Sequence, residues 1–251
     1  MNIQVCCPYQ KCVFNCPMCI AKGHKHNYQF PDVTHLQKYY DELKRIVVEE
    51  YECDVVITGE CDPSQNIRWV KRVLRNLTKD IFFKGNIELQ TRNYSLNLDD
   101  LFGLDVLSYS IIYPKDYIRC HSFPKLKKNA INRIVILLTK EFEFLNKDIF
   151  DPMGYDQVTF KTLQYGEDDE INKWIDNNKM SEDGLNKIKE IVEKYNGSKE
   201  CSVRLDTSCQ DATNRYYIYR CDGKLYTNWN AKTDKFSHKI KKLNNVFKVE
   251  D

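Results

Sequence analysis

The sequence predicts an α/β protein built on parallel strands, and three observations predict it. Six short runs rich in β-branched and aromatic residues recur through the first two thirds of the 251-residue chain. Helical or irregular segments of crossover length separate them, so successive strands can return parallel. Runs such as Val55-Val56-Ile57 and Ile134-Val135-Ile136-Leu137-Leu138 are apolar throughout, the pattern of strands covered on both faces. Six β/α units suit either an open doubly wound sheet or an incomplete barrel. In both, chemistry belongs at the C-terminal ends of the strands.

The first strand is read at 2–6 (NIQVC). A helix follows, with Asp32 or Thr34 as its cap and Leu36, Tyr39, Leu43, Ile46 and Val47 on one face. The second strand is 54–58 (DVVIT), and Ile67, Val70, Val73, Leu74 and Leu77 mark the next amphipathic helix. Strands three to six fall at 87–91, 106–112, 133–138 and 157–161. After 165 the pattern changes. Ser181 caps a helix carrying Leu185, Ile188, Ile191, Val192 and Tyr195, and Gly197 stops it. Three further β-rich runs follow at 201–206, 215–221 and 224–229. Asp222-Gly223 forms a hairpin turn between the last two. The expected organisation is a core over 1–165 and a C-terminal helix and β-hairpin extension over 166–251.

The chain is 42% hydrophobic and 29% charged, with a net charge of +2. It therefore carries no bulk field of the kind that recruits nucleic acid. The basic stretch 232–248 lacks stacking aromatics in register, so it reads as a solvated face and nucleic acid is not an expected partner. No run approaches the ~18 apolar residues of a spanning helix, and the first residues have no apolar signal core. The expected location is the cytoplasm, with no membrane partner. Thiols are mostly reduced there, so the eleven cysteines read as metal ligands, catalytic groups or core residues rather than disulfides.

Three of them, Cys12, Cys16 and Cys19, share one loop directly after the first strand. Structural zinc takes four protein ligands, often as two separated pairs, and here only His24 or His26 stands nearby as a fourth. Thiolates are also the soft ligands of iron–sulfur clusters. Three of them hold three corners of a cubane and leave the fourth iron open to something else.

The spacing Cys-x3-Cys-x2-Cys after a first strand resembles the signature of the radical S-adenosylmethionine enzymes. That resemblance implies a partial (β/α)6 barrel and a 4Fe–4S cluster on the three cysteines. It implies S-adenosylmethionine chelated to the fourth iron, an electron donor such as a flavodoxin or ferredoxin, and reductive cleavage to a 5′-deoxyadenosyl radical that abstracts hydrogen from a substrate. Ile57-Thr58-Gly59-Glu60-Cys61-Asp62-Pro63 resembles the family's Gly-Gly-Glu-Pro segment, which makes Gly59 and Glu60 the expected holders of the methionyl amino group. Gln90-Thr91-Arg92-Asn93 is similar to the Thr-Asn-Gly ending often found on the third strand, which points to Thr91. Ser108 or Ser110 would face the ribose, and Arg133 or Lys161 a carboxylate. The residue before the third cysteine is usually aromatic in the family. Here it is Met18, whose thioether would pack on the adenine instead. Cys61, beside Glu60, is a candidate hydrogen-atom donor or thioether site.

Cys209, the Tyr-rich run and Gly223 look like the auxiliary-cluster appendage of peptide-modifying members. The cysteine that motif needs is Asn228 here. The spacing of Cys201, Cys209 and Cys221 decides nothing about a second cluster. The hairpin motivates a peptide or protein side chain as substrate. The alternative is a nucleotide or pterin-like small molecule, and a zinc-stabilised binding module is the reading from another class.

Overall fold

The computed structural model describes residues 2–7, 11–19, 33–49, 53–79, 82–99, 101–127, 129–166, 168–207 and 216–227. His24, His26, Asp32, Cys209, Asn228, Trp229 and the Lys-rich stretch from Asn230 lie outside them. All six expected core strands form: β1 (Asn2–Cys7), β2 (Asp54–Gly59), β3 (Ile87–Thr91), β4 (Val106–Ile111), β5 (Ile131–Leu137) and β6 (Gln157–Lys161). Helix α1 (Val33–Glu49) turns Tyr39, Leu43, Ile46 and Val47 inward at helical spacing. Helix α2 (Ile67–Thr78) does the same with Val70, Val73, Leu74 and Leu77 and adds Trp69. A short helix α3 (Pro114–Arg119) starts at a proline, which costs nothing at a helix's first position.

The sheet runs β1 to β6 in sequence order, each strand parallel to its neighbour. Across β1 to β6 the order never reverses, so these strands have no switch point of the doubly wound kind. Crossovers of one hand between successive neighbours leave all their helices on one face. The burial follows. Val5, Ile57, Leu89, Tyr109, Ile136 and Phe160 point to that face and form one core with the helices. The opposite face carries Gln4, Thr58, Glu88, Gln90, Ser108, Ser110, Arg133 and Thr159. This corrects the reading of β5 as apolar on both sides. Ile134 and Ile136 are buried, but Val135 and Leu137, at the alternate positions, are only half-buried.

The C-terminal segment continues the same sheet at both edges. Helix α4 (Asp169–Asn178) is followed by α5 (Glu182–Lys194), which Ser181 caps by accepting from the Gly184 N–H at 3.1 Å. Strand β7 (Ser202–Asp206) pairs parallel with β6. Strand β8 (Tyr216–Tyr219) pairs parallel with β1, then antiparallel with β9 (Leu225–Tyr226). The Asp222-Gly223 turn forms: Gly223 takes φ +74° and its N–H donates to the Arg220 carbonyl at 3.0 Å. Among the described residues the sheet thus has nine strands, with β7 and β9 as edges. A second apolar cluster lies over its C-terminal end, where Ile171 and Ile175 of α4 meet Met18, Ile112 and Leu163.

Candidate functional site

A cavity of about 1260 Å³ opens at the C-terminal ends of the strands, on the face the helices leave free. Cys12, Cys16, Met18 and Cys19 form one wall; Gly59 ends β2 and Cys61 follows it, Thr91 ends β3, and Ser110 and Lys161 come from β4 and β6. Tyr216 and Ile218 of the C-terminal hairpin line it as well. The cysteine loop that follows β1 therefore lies beside the ends of strands distant from it in sequence.

The cysteine loop is held from three sides. Gln65, in the 3₁₀ turn Pro63–Asn66, accepts from the Val13 N–H at 3.1 Å and donates to the Lys11 carbonyl at 3.2 Å. Arg92 donates from Nη1 to Cys16 Sγ at 3.0 Å. Met18 is seated in the cluster with α4. Asn15 takes φ +42°, a left-handed bend that Asn tolerates better than most residues, and the Cys19 N–H closes a turn onto the Cys16 carbonyl. None of the ten described cysteines is in a disulfide.

Asp62 joins the loop after β2 to the end of β3. Its carboxylate accepts from Thr91 Oγ1 at 2.7 Å, the Arg92 N–H at 2.6 Å and the Ser64 N–H at 2.9 Å. Thr91 lies on the cavity wall and in turn accepts from the Asn93 N–H at 2.9 Å. Gly59 stands opposite Cys7 in the β1–β2 register with φ +147°. A Cβ there would lie 2.4 Å from the Cys7 nitrogen, so only glycine lets the two strand ends approach this closely.

Glu60 is 3% exposed, and neither carboxylate oxygen has a hydrogen-bond partner among the described residues. Burial pushes its pKa up to about 7; the Arg220 guanidinium opposes that shift and Asp222 adds to it. Glu60 is not itself on the cavity wall, although Gly59 and Cys61 on either side of it are. The Cys61 thiol donates to Cys7 Sγ at 3.6 Å. That hydrogen bond, together with burial, holds the Cys7 thiol far above the ordinary range.

Two other expected residues sit away from the wall. Ser108 is buried two residues below Ser110, and its hydroxyl has no partner among the described residues. Arg133 is taken up by Glu88 at 2.6 Å and Gln157 at 2.8 Å, near the N-terminal end of its strand. Arg133 therefore ties three strands together across the polar face rather than facing the cavity. Lys161 does face the cavity, and its ammonium has no partner among the described residues. Cys201 and Cys221 do not meet. Cys201 is buried ahead of β7, whereas the Cys221 thiol lies 3.4 Å from the Cys6 carbonyl beside β1.

Among the described residues, no three His, Cys, Asp or Glu side chains converge on a point that could hold one metal ion. A cubane asks something different, since each thiolate binds its own iron at its own corner. No family model matches the chain, and no curated protein matches it significantly.

Proposed function

We propose that this chain is a radical S-adenosylmethionine enzyme, its parallel sheet curled as a partial (β/α)6 barrel around the cavity. One observation carries the reading: three thiols outside any disulfide, at the spacing Cys-x3-Cys-x2-Cys, and the ends of strands β2, β3, β4 and β6 line a single cavity. The singly wound order supports the barrel, because such a sheet keeps one face free of crossover helices for a ligand.

The residues present fit both groups. Cys12, Cys16 and Cys19 would hold a 4Fe–4S cluster. Glu60, with two buried and unpartnered oxygens, suits the methionyl ammonium, since a charge-assisted hydrogen bond would satisfy both sides. Gly59 keeps the backbone beside it accessible. Thr91 and Ser110 offer hydroxyls on the wall, and the Met18 thioether offers an apolar surface for adenine. Lys161 suits a carboxylate. When bound, the cluster and S-adenosylmethionine supply reductive sulfonium cleavage and the 5′-deoxyadenosyl radical that takes a substrate hydrogen. The chain's own part is to orient the two groups and to keep water away with the roof of Met18, Ile112, Leu163 and α4.

The cavity exceeds the ~300–1,000 Å³ that buries one drug-sized ligand, so a second molecule fits beside the cofactor. Tyr216 and Ile218 bring the hairpin to its wall, which favours a peptide or protein side chain as that molecule.

The test is anaerobic purification, then visible absorption, iron analysis and addition of dithionite with S-adenosylmethionine. The proposal expects a brown protein with about four irons, one cubane, that releases 5′-deoxyadenosine. Cys16→Ala should lose both cluster and product. A colourless, zinc-bearing protein that leaves S-adenosylmethionine intact, or full 5′-deoxyadenosine release by Cys16→Ala, would refute it.

A further inference from the structure

We infer that Arg92 is a positioning residue that holds the Cys16 sulfur in place and sets how readily a cluster bound there accepts its electron. The inference rests on the proposed cluster, but its own support is geometric. Arg92 stands next to the end of β3, and its backbone N–H is gripped by Asp62 at 2.6 Å. Its side chain is 11% exposed and lies in a nest of four groups. Nη1 donates to Cys16 Sγ at 3.0 Å, and Nη2 is 3.6 Å from Asp116 Oδ2 on α3. The guanidinium carbon is 5.4 Å from the centre of the Phe14 ring and 5.6 Å from that of Tyr113. Phe14 belongs to the cysteine loop itself, so Arg92 touches that loop twice.

A full positive charge beside a metal-bound thiolate has a definite consequence. Reduction adds one negative charge to the cluster, and a nearby cation stabilises the reduced state more than the oxidised one. The N–H donated to the sulfur acts in the same sense, because it withdraws electron density from the ligand. Asp116 acts in the opposite sense. It is 10% exposed and close to the guanidinium, so it partly cancels the field that Cys16 feels. Tyr94 holds that carboxylate in turn, its hydroxyl lying 3.3 Å from Asp116 Oδ2 and 2.7 Å from the Ser110 carbonyl. Arg92 and Asp116 therefore form a graded pair, with the cation nearer the sulfur.

The two partners make opposite predictions, which a merely structural role would not. The experiment is an electron-paramagnetic-resonance redox titration of the full chain after anaerobic reconstitution with iron and sulfide. Arg92→Gln should lower the cluster's midpoint potential, and Arg92→Lys should restore most of it, because Lys keeps the charge. Asp116→Asn should raise the potential. Circular dichroism and iron content show whether each variant is folded and loaded. If Arg92→Gln does not fold, Asp116→Asn decides alone: an upward shift supports the inference and an unchanged potential overturns it. Shifts of the same sign in both variants, or none in either, also overturn it. A wild-type protein that takes up no cluster would sink the proposed function and this inference with it. A loaded wild type with unmoved variants sinks only the inference.

Discussion

Glu60 sets the sharpest residue-scale prediction, because its two roles pull against each other. A carboxyl that is nearly fully buried with no partner among the described residues is costly when charged. Its pKa of about 7, against an ordinary 4.5, means the folded state binds a proton that the unfolded state has already lost. The sign follows: the stability linked to that proton is fully present below pH 4.5 and is lost as pH rises through 7. At pH 8, Glu60→Gln should therefore stabilise the cofactor-free protein by about 1–3 kcal/mol, with the gain vanishing near pH 4.5. Thermal melts at pH 8 and pH 5 check this, and equal melting shifts at both would contradict it. The same substitution should weaken S-adenosylmethionine binding, since an amide cannot neutralise an ammonium. In the wild type that affinity should fall up to about tenfold as pH drops from 7 to 6, with proton release on binding seen by calorimetry in two buffers.

At the scale of elements, the site depends on contacts that span long stretches of sequence. Asp62 is the junction, tying the loop after β2 to the end of β3 through Thr91 and Arg92, 29 and 30 residues away. Asp62→Ala strands those donors and should cost about 2–4 kcal/mol, given three hydrogen bonds to a charged acceptor. Hydrogen exchange should quicken at Arg92 and Asn93 but not at the centre of β2. Protection unchanged at both amides would show that the strand end is held by other contacts. This separation explains what the sequence shows and what it hides. Strands β1 to β6 are legible because β-branched runs report their own burial. The Ser181 cap and the Asp222-Gly223 turn are legible because their partners are within a few residues. Helix α4 is not, since Asp169–Asn178 buries only Ile171 and Ile175, and apart from the partly buried Trp174 its other residues are polar. The cysteine spacing and Gly59-Glu60 are local signals and stand out. Gln65 and Arg92 reach the cysteine loop across 52 and 76 residues, and no local pattern announces such a contact. Ser108 and Ser110 look alike by alternation, and only the depth of the cavity separates them.

At the scale of the whole molecule, a sheet wound in one direction must satisfy a polar face that no crossover helix covers. It does so with side chains that cross strands. Gln90 donates to Glu88 at 3.0 Å, Glu88 receives Arg133 at 2.6 Å, and Arg133 donates to Gln157 at 2.8 Å, so one chain of bonds links β3, β5 and β6 around β4. Arg204 on β7 extends the pattern by donating to Thr159 at 3.0 Å. The Glu88–Arg133 pair is 11% and 14% exposed, and a pair at that depth contributes little over an apolar equivalent, yet is costly to break from one side. Glu88→Leu leaves the guanidinium buried without its carboxylate and should cost about 3–5 kcal/mol, and Arg133→Met strands the carboxylate in the same way. The double variant Glu88→Leu, Arg133→Met removes both charges and should lose less than either single change, despite leaving Gln90 and Gln157 short of a partner. Urea denaturation of the four proteins gives the coupling energy directly. Because Glu88 and Arg133 lie away from the cavity wall, the double variant should also load a cluster and bind S-adenosylmethionine as the wild type does. Independent single-variant losses that simply add would show that the pair does not act as a unit. A selective loss of S-adenosylmethionine binding in the stable double variant would instead place Arg133 at the cofactor, against its position beside Glu88 and Gln157.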